Sequence, residues 1–284
     1  MNLEKYKVKK NIKLKDFATN QVEVKAEKHL NKISKKLAKL QNAMYAEGKY
    51  SVLICLQGMD TSGKDSLIRE VFKEFNARGV EVHSFKVPTN LELKHDFLWR
   101  HYIALPAKGK VGVFNRTHYE NVLVTRVHPS YVFAENIPTI KNEEDLDASF
   151  YHGRMERINH FENHLSENGT IILKYFLHLS KNEQKNRLLR RLSIPDKNWK
   201  FSVDDLKERK LWDKYMFCYE DLLNRTSTSN APWYVVPADD KPTARLIFAK
   251  ILLEELKKYN FKEPILSAKI QAQVEEYKTQ LNNE

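Results

Sequence analysis

Gly58, Gly63 and Lys64 stand at the spacing GxxxxGK of a phosphate-binding loop, in the stretch Gly58-Met59-Asp60-Thr61-Ser62-Gly63-Lys64. Glycines at these positions let the backbone turn tightly. The N–H groups along Thr61, Ser62 and Gly63 and at the following helix start then converge on phosphate oxygens. Lys64 reaches the outer phosphates as a flexible cation. An ordinary strand-to-helix turn with a surface lysine shares this spacing. Context favours the phosphate loop: a strand precedes it, a helix follows, and it uses two of only eight glycines. One residue departs from the pattern. The position that usually carries a Ser or Thr ligand for Mg²⁺ is Asp65, so either Asp60 takes over the metal or the loop holds a phosphate chain differently.

A second candidate cluster follows the apolar run Lys110–Phe114, where Asn115 and Arg116 sit at a strand end. Phosphate-loop enzymes usually carry a metal-organising Asp there. Asn115 can ligate Mg²⁺ or its water through the carbonyl oxygen, but it adds no charge. Arg116 can clamp a phosphate bidentately. Glu120, five residues on, restores a carboxylate through metal or water; the alternative is a helix-start glutamate favoured by the macrodipole. The third cluster is KNEQKNRLLRRLSIPDKNWKFS (181–202), with Arg187, Arg190 and Arg191 at i, i+3 and i+4 of one helical face, and Lys197 and Lys200 beyond. A charge run is by default a solvated face. Beside a phosphate loop it reads as a lid over about 181–205 that closes on phosphates and excludes water, with Arg187 and Arg191 gripping a polyanion.

The elements that must position these groups alternate. Val52–Leu56 is a strand apolar on both faces, and Leu67, Ile68, Val71, Phe72 and Phe75 then recur at helical spacing. Further strands are expected at 80–85, 110–114, 170–179 and 233–237, and helices at 95–106, 145–167, 181–193, 203–224 and 242–259. That alternation predicts an α/β three-layer sandwich on a five-stranded parallel sheet. With the phosphate loop on the first strand, its order is 2-3-1-4-5, as in P-loop kinases, with ligands at the carboxyl ends of the strands. The reading is a single domain over 1–284. Residues 1–20 are a basic surface arm, completing with the next helix a unit over 1–48. In that helix Leu30, Ile33, Leu37, Leu40 and Met44 form an apolar seam, packed on its own domain or on a second copy. Ile270, Val274, Tyr277 and Leu281 recur at helical spacing within 262–284, a partner for that seam.

Composition bounds the rest. Hydrophobic residues make 42% of the 284, enough for a core. No apolar run nears the roughly 18 residues of a membrane span, the basic N-terminus lacks a signal-peptide core, and Cys55 and Cys218 make no disulfide framework. A cytoplasmic protein is expected. Forty-eight Lys and Arg against 37 Asp and Glu, a net +11, call for a polyanionic partner. No motif for specific nucleic-acid binding is present.

The phosphate loop, the HDFLWRHY segment (95–102), FNRTHYENVLVTRVHP (114–129), the basic LSKNEQKNRLLRRL run and NWKFSVDDL (198–206) together resemble the family-2 polyphosphate kinases, in order, over about residues 20–260. The Asn-Arg-Thr-His-Tyr-Glu version of the third-strand motif resembles the branch acting on nucleoside monophosphates as well as diphosphates. The resemblance implies reversible transfer of a terminal phosphoryl group from polyphosphate to a nucleotide, with Mg²⁺ or Mn²⁺, in a dimer or tetramer. It also implies that Asp60 and Asn115 organise metals, with Glu120 contributing, and that Arg100, Glu120 and Arg126 sit near the nucleotide. Two rivals remain open on sequence: an ATP-dependent nucleoside monophosphate kinase, and a non-catalytic nucleic-acid-binding module.

Overall fold

Apolar runs separated by amphipathic ones become a parallel sheet between helical layers in the computed structural model, which describes residues 2–194 and 202–284. The chain runs α1 (Ala26–Glu47), β1 (Ser51–Gln57), α2 (Lys64–Val71), β2 (Val80–Ser84), α3 (Trp99–Tyr102), β3 (Val111–Asn115), α4 (Glu120–Val127), α5 (Ser130–Phe133) and α6 (Ala148–Glu167). It continues through β4 (Thr170–His178), α7 (Lys181–Ser193), α8 (Val203–Lys210), α9 (Trp212–Thr226), β5 (Trp233–Pro237), α10 (Lys241–Lys257) and α11 (Ala268–Asn282). The strand order is β2-β3-β1-β4-β5, all parallel, as expected of a P-loop kinase fold. Every residue of β1 is buried, because β3 and β4 flank it and helices cover both faces. Its carboxyl end, beside the ends of β3 and β4, is therefore a rigid ledge for the loops that follow.

The N-terminal seam finds its partner inside the chain, though not the expected one. Leu30, Leu37 and Met44 join one core with Leu246, Phe248, Ile251 and Leu252 of α10. Helix α10 is apolar nearly all round, since it faces the sheet on one side and α1 on the other. Helix α11, predicted to cover the seam, buries no residue, and Tyr277 and Leu281 remain 57% and 68% exposed. The basic arm is more than surface cover. Lys7 bridges Tyr234 antiparallel, Val8 N–H donates to Trp233 O at 2.9 Å, and Tyr6, Val8 and Leu14 are buried. The arm thus closes the edge that β5 would otherwise present to solvent.

Two expected helices are cut down. The helix predicted over 95–106 shrinks to α3, because Asp96 turns back to accept from Leu98 N–H and the chain ends in Pro106, which lies over Gly112 of β3. The helix predicted over 203–224 breaks at Leu211, whose N–H bonds Glu208 O in a tighter turn. Among the described residues no helix is long and apolar enough to cross a membrane.

Candidate active site

The loop after β1 has the backbone its glycines predict. Gly58 has φ 152°, and a Cβ there would stand 2.9 Å from Leu177 O; Gly63 has φ 105°. Thr61 also sits at positive φ, 67°, a conformation unusual for a β-branched residue, and its Oγ1 is buried without a partner. Strain of this kind survives where the surroundings fix it, as at ligand clamps. Gly63 caps α2 without a side chain, so no side chain competes for the first-turn amides. Lys64 Nζ curls over this loop, donating to Gly58 O at 2.7 Å and lying 3.5 Å from Met59 O and Ser62 Oγ. Burial pulls its pKa down, against the neighbouring Asp60, Glu120 and Asp65 carboxylates.

Beside it, the two departures from the usual motif meet each other. Asn115 Nδ2 donates to Asp65 Oδ1 at 2.7 Å. An Asp at position 115 would set two carboxylates against one another, so neutrality at 115 complements the acid at 65. The bond also fixes the amide's orientation: its nitrogen faces Asp65, leaving Asn115 Oδ1 buried and unpartnered. Arg116 adopts φ 61° and carries its half-exposed guanidinium to 3.5 Å from Asp60 Oδ1. Glu120 opens α4 and accepts from Gln57 Nε2 at 2.9 Å. Burial pushes its carboxyl up, with Gln57, Arg116 and Lys64 pulling the other way. Asp60, Lys64, Asn115, Arg116 and Glu120 therefore share one edge. Gln57, which also donates to Thr117 Oγ1 at 3.1 Å, escaped the sequence reading. Its signal was a lone amide ending an apolar strand.

The basic helix α7 divides its arginines. Arg187 is 7% exposed and spends all five donors: on Thr61 O (2.9 Å) and Ser62 O (3.1 Å), on Ala238 O (2.7 Å) and Asp239 O (2.8 Å), and on Glu183 Oε1 (2.8 Å). In this geometry it does not face a polyanion with Arg191, as the sequence suggested; it ties the phosphate loop to the segment after β5. Arg187→Ala is expected to destabilise the fold by about 3–5 kcal/mol, since it strands buried acceptors and loosens the loop. A melting temperature unchanged within a degree would refute that structural role. Arg190 is exposed, while Arg191 lies 3.2 Å from Asp205 Oδ2 at the start of α8. Burial and then Asp60 push the Asp205 carboxyl up, which places the start of α8 electrostatically beside the loop. Lys197 and Lys200 lie outside the described residues.

The two arginines expected near a nucleotide differ. Arg100 is buried, donates to Lys86 O at 2.8 Å, and senses the Glu92 and Glu120 carboxylates beside a narrow cleft that Asn121 and Glu135 also line. Arg126 donates to Asp221 Oδ2 at 2.6 Å and lies over the rings of Tyr151 and Phe217. A residue the sequence reading missed is Lys241, the first of α10. Its Cε lies 3.9 Å from where a Gly63 Cβ would stand, and burial, then Arg187 and Arg190, lower its pKa to about 8. A Lys at the helix start just beyond β5 was the available clue.

For a metal, the donors are hard oxygens: the Asp60 and Glu120 carboxylates and the orphaned Asn115 Oδ1. No group of three or more His, Cys, Asp or Glu gathers among the described residues. That set suits Mg²⁺ or Mn²⁺, which take one or two carboxylates plus substrate phosphates rather than an all-protein cage.

A family model described as Polyphosphate kinase 2 matches residues 20–264. The ADP-polyphosphate phosphotransferase of Rhodopseudomonas palustris is 48% identical over 229 residues, covering 81% of this chain and 78% of that one. The AMP/ADP-polyphosphate phosphotransferase of Meiothermus ruber is 45% identical over 224 residues, covering 79% and 78%. The crystal structure of polyphosphate kinase 2 from Arthrobacter aurescens TC1 superposes with TM-score 0.86 at 37% identity, covering 96% of both chains. The loop, the Asn115 turn and the basic helix all fall inside the matched span, and the chain is a member of the polyphosphate kinase 2 family.

Proposed function

We propose that this polyphosphate kinase moves the terminal phosphoryl group of inorganic polyphosphate onto a nucleoside mono- or diphosphate, AMP and ADP first among them, reversibly and with Mg²⁺ or Mn²⁺. The observation that carries this is the convergence of Lys64, Arg116 and the loop amides with Asp60, Asn115 and Glu120 at one sheet edge. The relatives named for ADP and for AMP/ADP support the acceptor, and a net charge of +11 suits a linear polyanion.

An acceptor phosphate is already a nucleophile, so no general base is required. Lys64, the loop amides and Arg116 stabilise the charge spread over the transferred group in an in-line displacement. Asp60 and Asn115, with Glu120, would hold the divalent cation, which when bound adds positive charge at the phosphates. Helix α7 and the start of α8 contribute to the lid, with Arg190 and Arg191 on the polyphosphate side. Arg100 borders the acceptor cleft. Exposed Val82, Tyr102 and Ile103 support a dimer or tetramer.

The test is a matrix of donors (polyphosphate, ATP) against acceptors (AMP, ADP, other nucleotides). Product from polyphosphate with AMP and ADP is expected. ATP outpacing polyphosphate as donor to AMP would overturn the reading in favour of a nucleotide-dependent kinase.

Lys241 gives the donor a pH signature. With its pKa near 8, it is about nine-tenths charged at pH 7 and about one-tenth charged at pH 9. Binding a polyanion favours the charged form, so polyphosphate affinity falls as pH rises through 8. The KM for polyphosphate should climb several-fold between pH 7 and 9, and Lys241→Met should flatten that climb. An equally steep climb in the variant would rule Lys241 out.

A further inference from the structure

Beneath the turn that carries Arg116 and Glu120 lies a cluster of charge with no access to substrate. Thr117, His118 and Tyr119, the three residues between them, are all 0% exposed, and the last two reach the cluster. They meet Glu162 of α6 and Lys174 of β4, themselves 1% and 0% exposed. Tyr119 Oη donates to Glu162 Oε1 at 2.7 Å, and the His118 Nε2 lies 3.1 Å from the same oxygen. Lys174 Nζ donates to Glu162 Oε2 at 2.6 Å, to Tyr119 Oη at 2.8 Å and to Thr226 O at 2.6 Å.

The donors and acceptors close on themselves. An ammonium has three N–H groups, and Lys174 uses all three. The Tyr119 hydroxyl receives one hydrogen bond and gives one. His118 Nδ1 is buried without a partner, so the ring's polar contact in the cluster is Nε2 against the carboxylate. Burial pushes Glu162 up, yet Lys174 and His118 together outweigh it and hold the carboxyl below its usual range.

Such an ion pair is not what core stability calls for. Apolar residues of similar volume often serve a core as well or better, whereas removing one partner alone is strongly destabilising. What apolar packing lacks is direction. Here four elements, α6, β4, the end of α9 and the β3–α4 turn, are joined through oriented bonds at one point. The turn so held has Arg116 at positive φ on one side and Glu120 on the other, both facing the phosphate loop.

We infer that Glu162, locked by Lys174, is a positioning residue: through His118 and Tyr119 it sets the height and angle of the turn that presents Arg116 and Glu120 to the reacting phosphates. Misplacement of about 1 Å at such groups is enough to cost around 10²-fold in rate. The inference rests on the proposed transfer reaction, and wild-type activity in the same assays separates a failure of that reaction from a failure of this role.

Three variants test it: Tyr119→Phe, Glu162→Gln, and the paired Glu162→Met/Lys174→Met. Each is measured for melting temperature and for kcat and KM with polyphosphate at saturating nucleotide. Tyr119→Phe leaves the ion pair and removes one bridging hydroxyl; kcat should fall about tenfold while the KM for polyphosphate stays within twofold, because the phosphate loop is untouched. Glu162→Gln should lose both melting temperature and kcat. The paired apolar variant should regain the melting temperature but not kcat, which remains at least about tenfold low. Wild-type kcat in the paired variant would show that the cluster only holds the core together, and overturns the inference. So does a Tyr119→Phe enzyme with kcat within twofold of wild type, which decides the matter even if neither Glu162 variant folds.

Discussion

Lys64→Ala is expected to lower phosphoryl transfer by about 10²–10³ with either acceptor, the magnitude attached to one charged donor aimed at a transition state. Its ammonium is the cation that the phosphate loop itself carries, and it donates to Gly58 O at 2.7 Å. A phosphate oxygen accepts more strongly than a carbonyl, so a bound phosphate would compete for that ammonium. The fold should survive the change, because the side chain lies above the sheet edge rather than in the core. Turnover above a tenth of wild type, measured in initial rates with saturating polyphosphate, would sink the phosphate-loop assignment.

Glu120→Ala should separate the two acceptors. A monophosphate is one phosphate shorter than a diphosphate, so its attacking oxygen needs more help to reach the same in-line position, and errors near 1 Å weigh heavily. Glu120 is placed to give that help: Gln57 holds it at 2.9 Å, and the charges of Arg116, Lys64 and Asp60 all bear on it. AMP phosphorylation should collapse while ADP phosphorylation falls modestly. Equal losses would reveal a general metal role, and no loss would leave Glu120 as a helix-start acid. The sign of its pKa shift adds a second reading. Burial raises the carboxyl, so its neutral form persists to higher pH than in an exposed Glu, and activity with AMP should rise with pH through that raised value. The acid limb should vanish in the variant.

Chemistry was more legible in the sequence than surroundings were. The phosphate loop, the strand-end Asn115-Arg116 pair and Glu120 could be placed at one sheet edge because each follows the end of a parallel strand. Helix α7 could be read as a helix but not as a placed one. Its inward face is Gln184, Arg187 and Leu188, so apolar periodicity carries little information about which arginine meets backbone carbonyls and which meets solvent. The same limit governs α11, whose spacing revealed a helix without revealing that α10 already covers α1. Gln57, Lys241 and the buried Glu162–Lys174 pair are single polar residues inside apolar or mixed runs. Their meaning comes from partners 12 or more residues away, in other elements.

The order of the sheet has a consequence for how the chain is made. β4 emerges from synthesis long before β5, and at roughly 5–20 residues per second the gap lasts on the order of seconds. During it β4 is an open edge, and Thr170–His178 is a nearly unbroken β-forming apolar run of the kind that pairs with other nascent chains. Lys174 stands in its middle. Before Thr226 and Trp233 arrive, the lysine charge stays hydrated and discourages that pairing. Once β5 docks, the same ammonium is sealed in. The residue that guards the unfinished sheet is thus the one that later anchors the finished site.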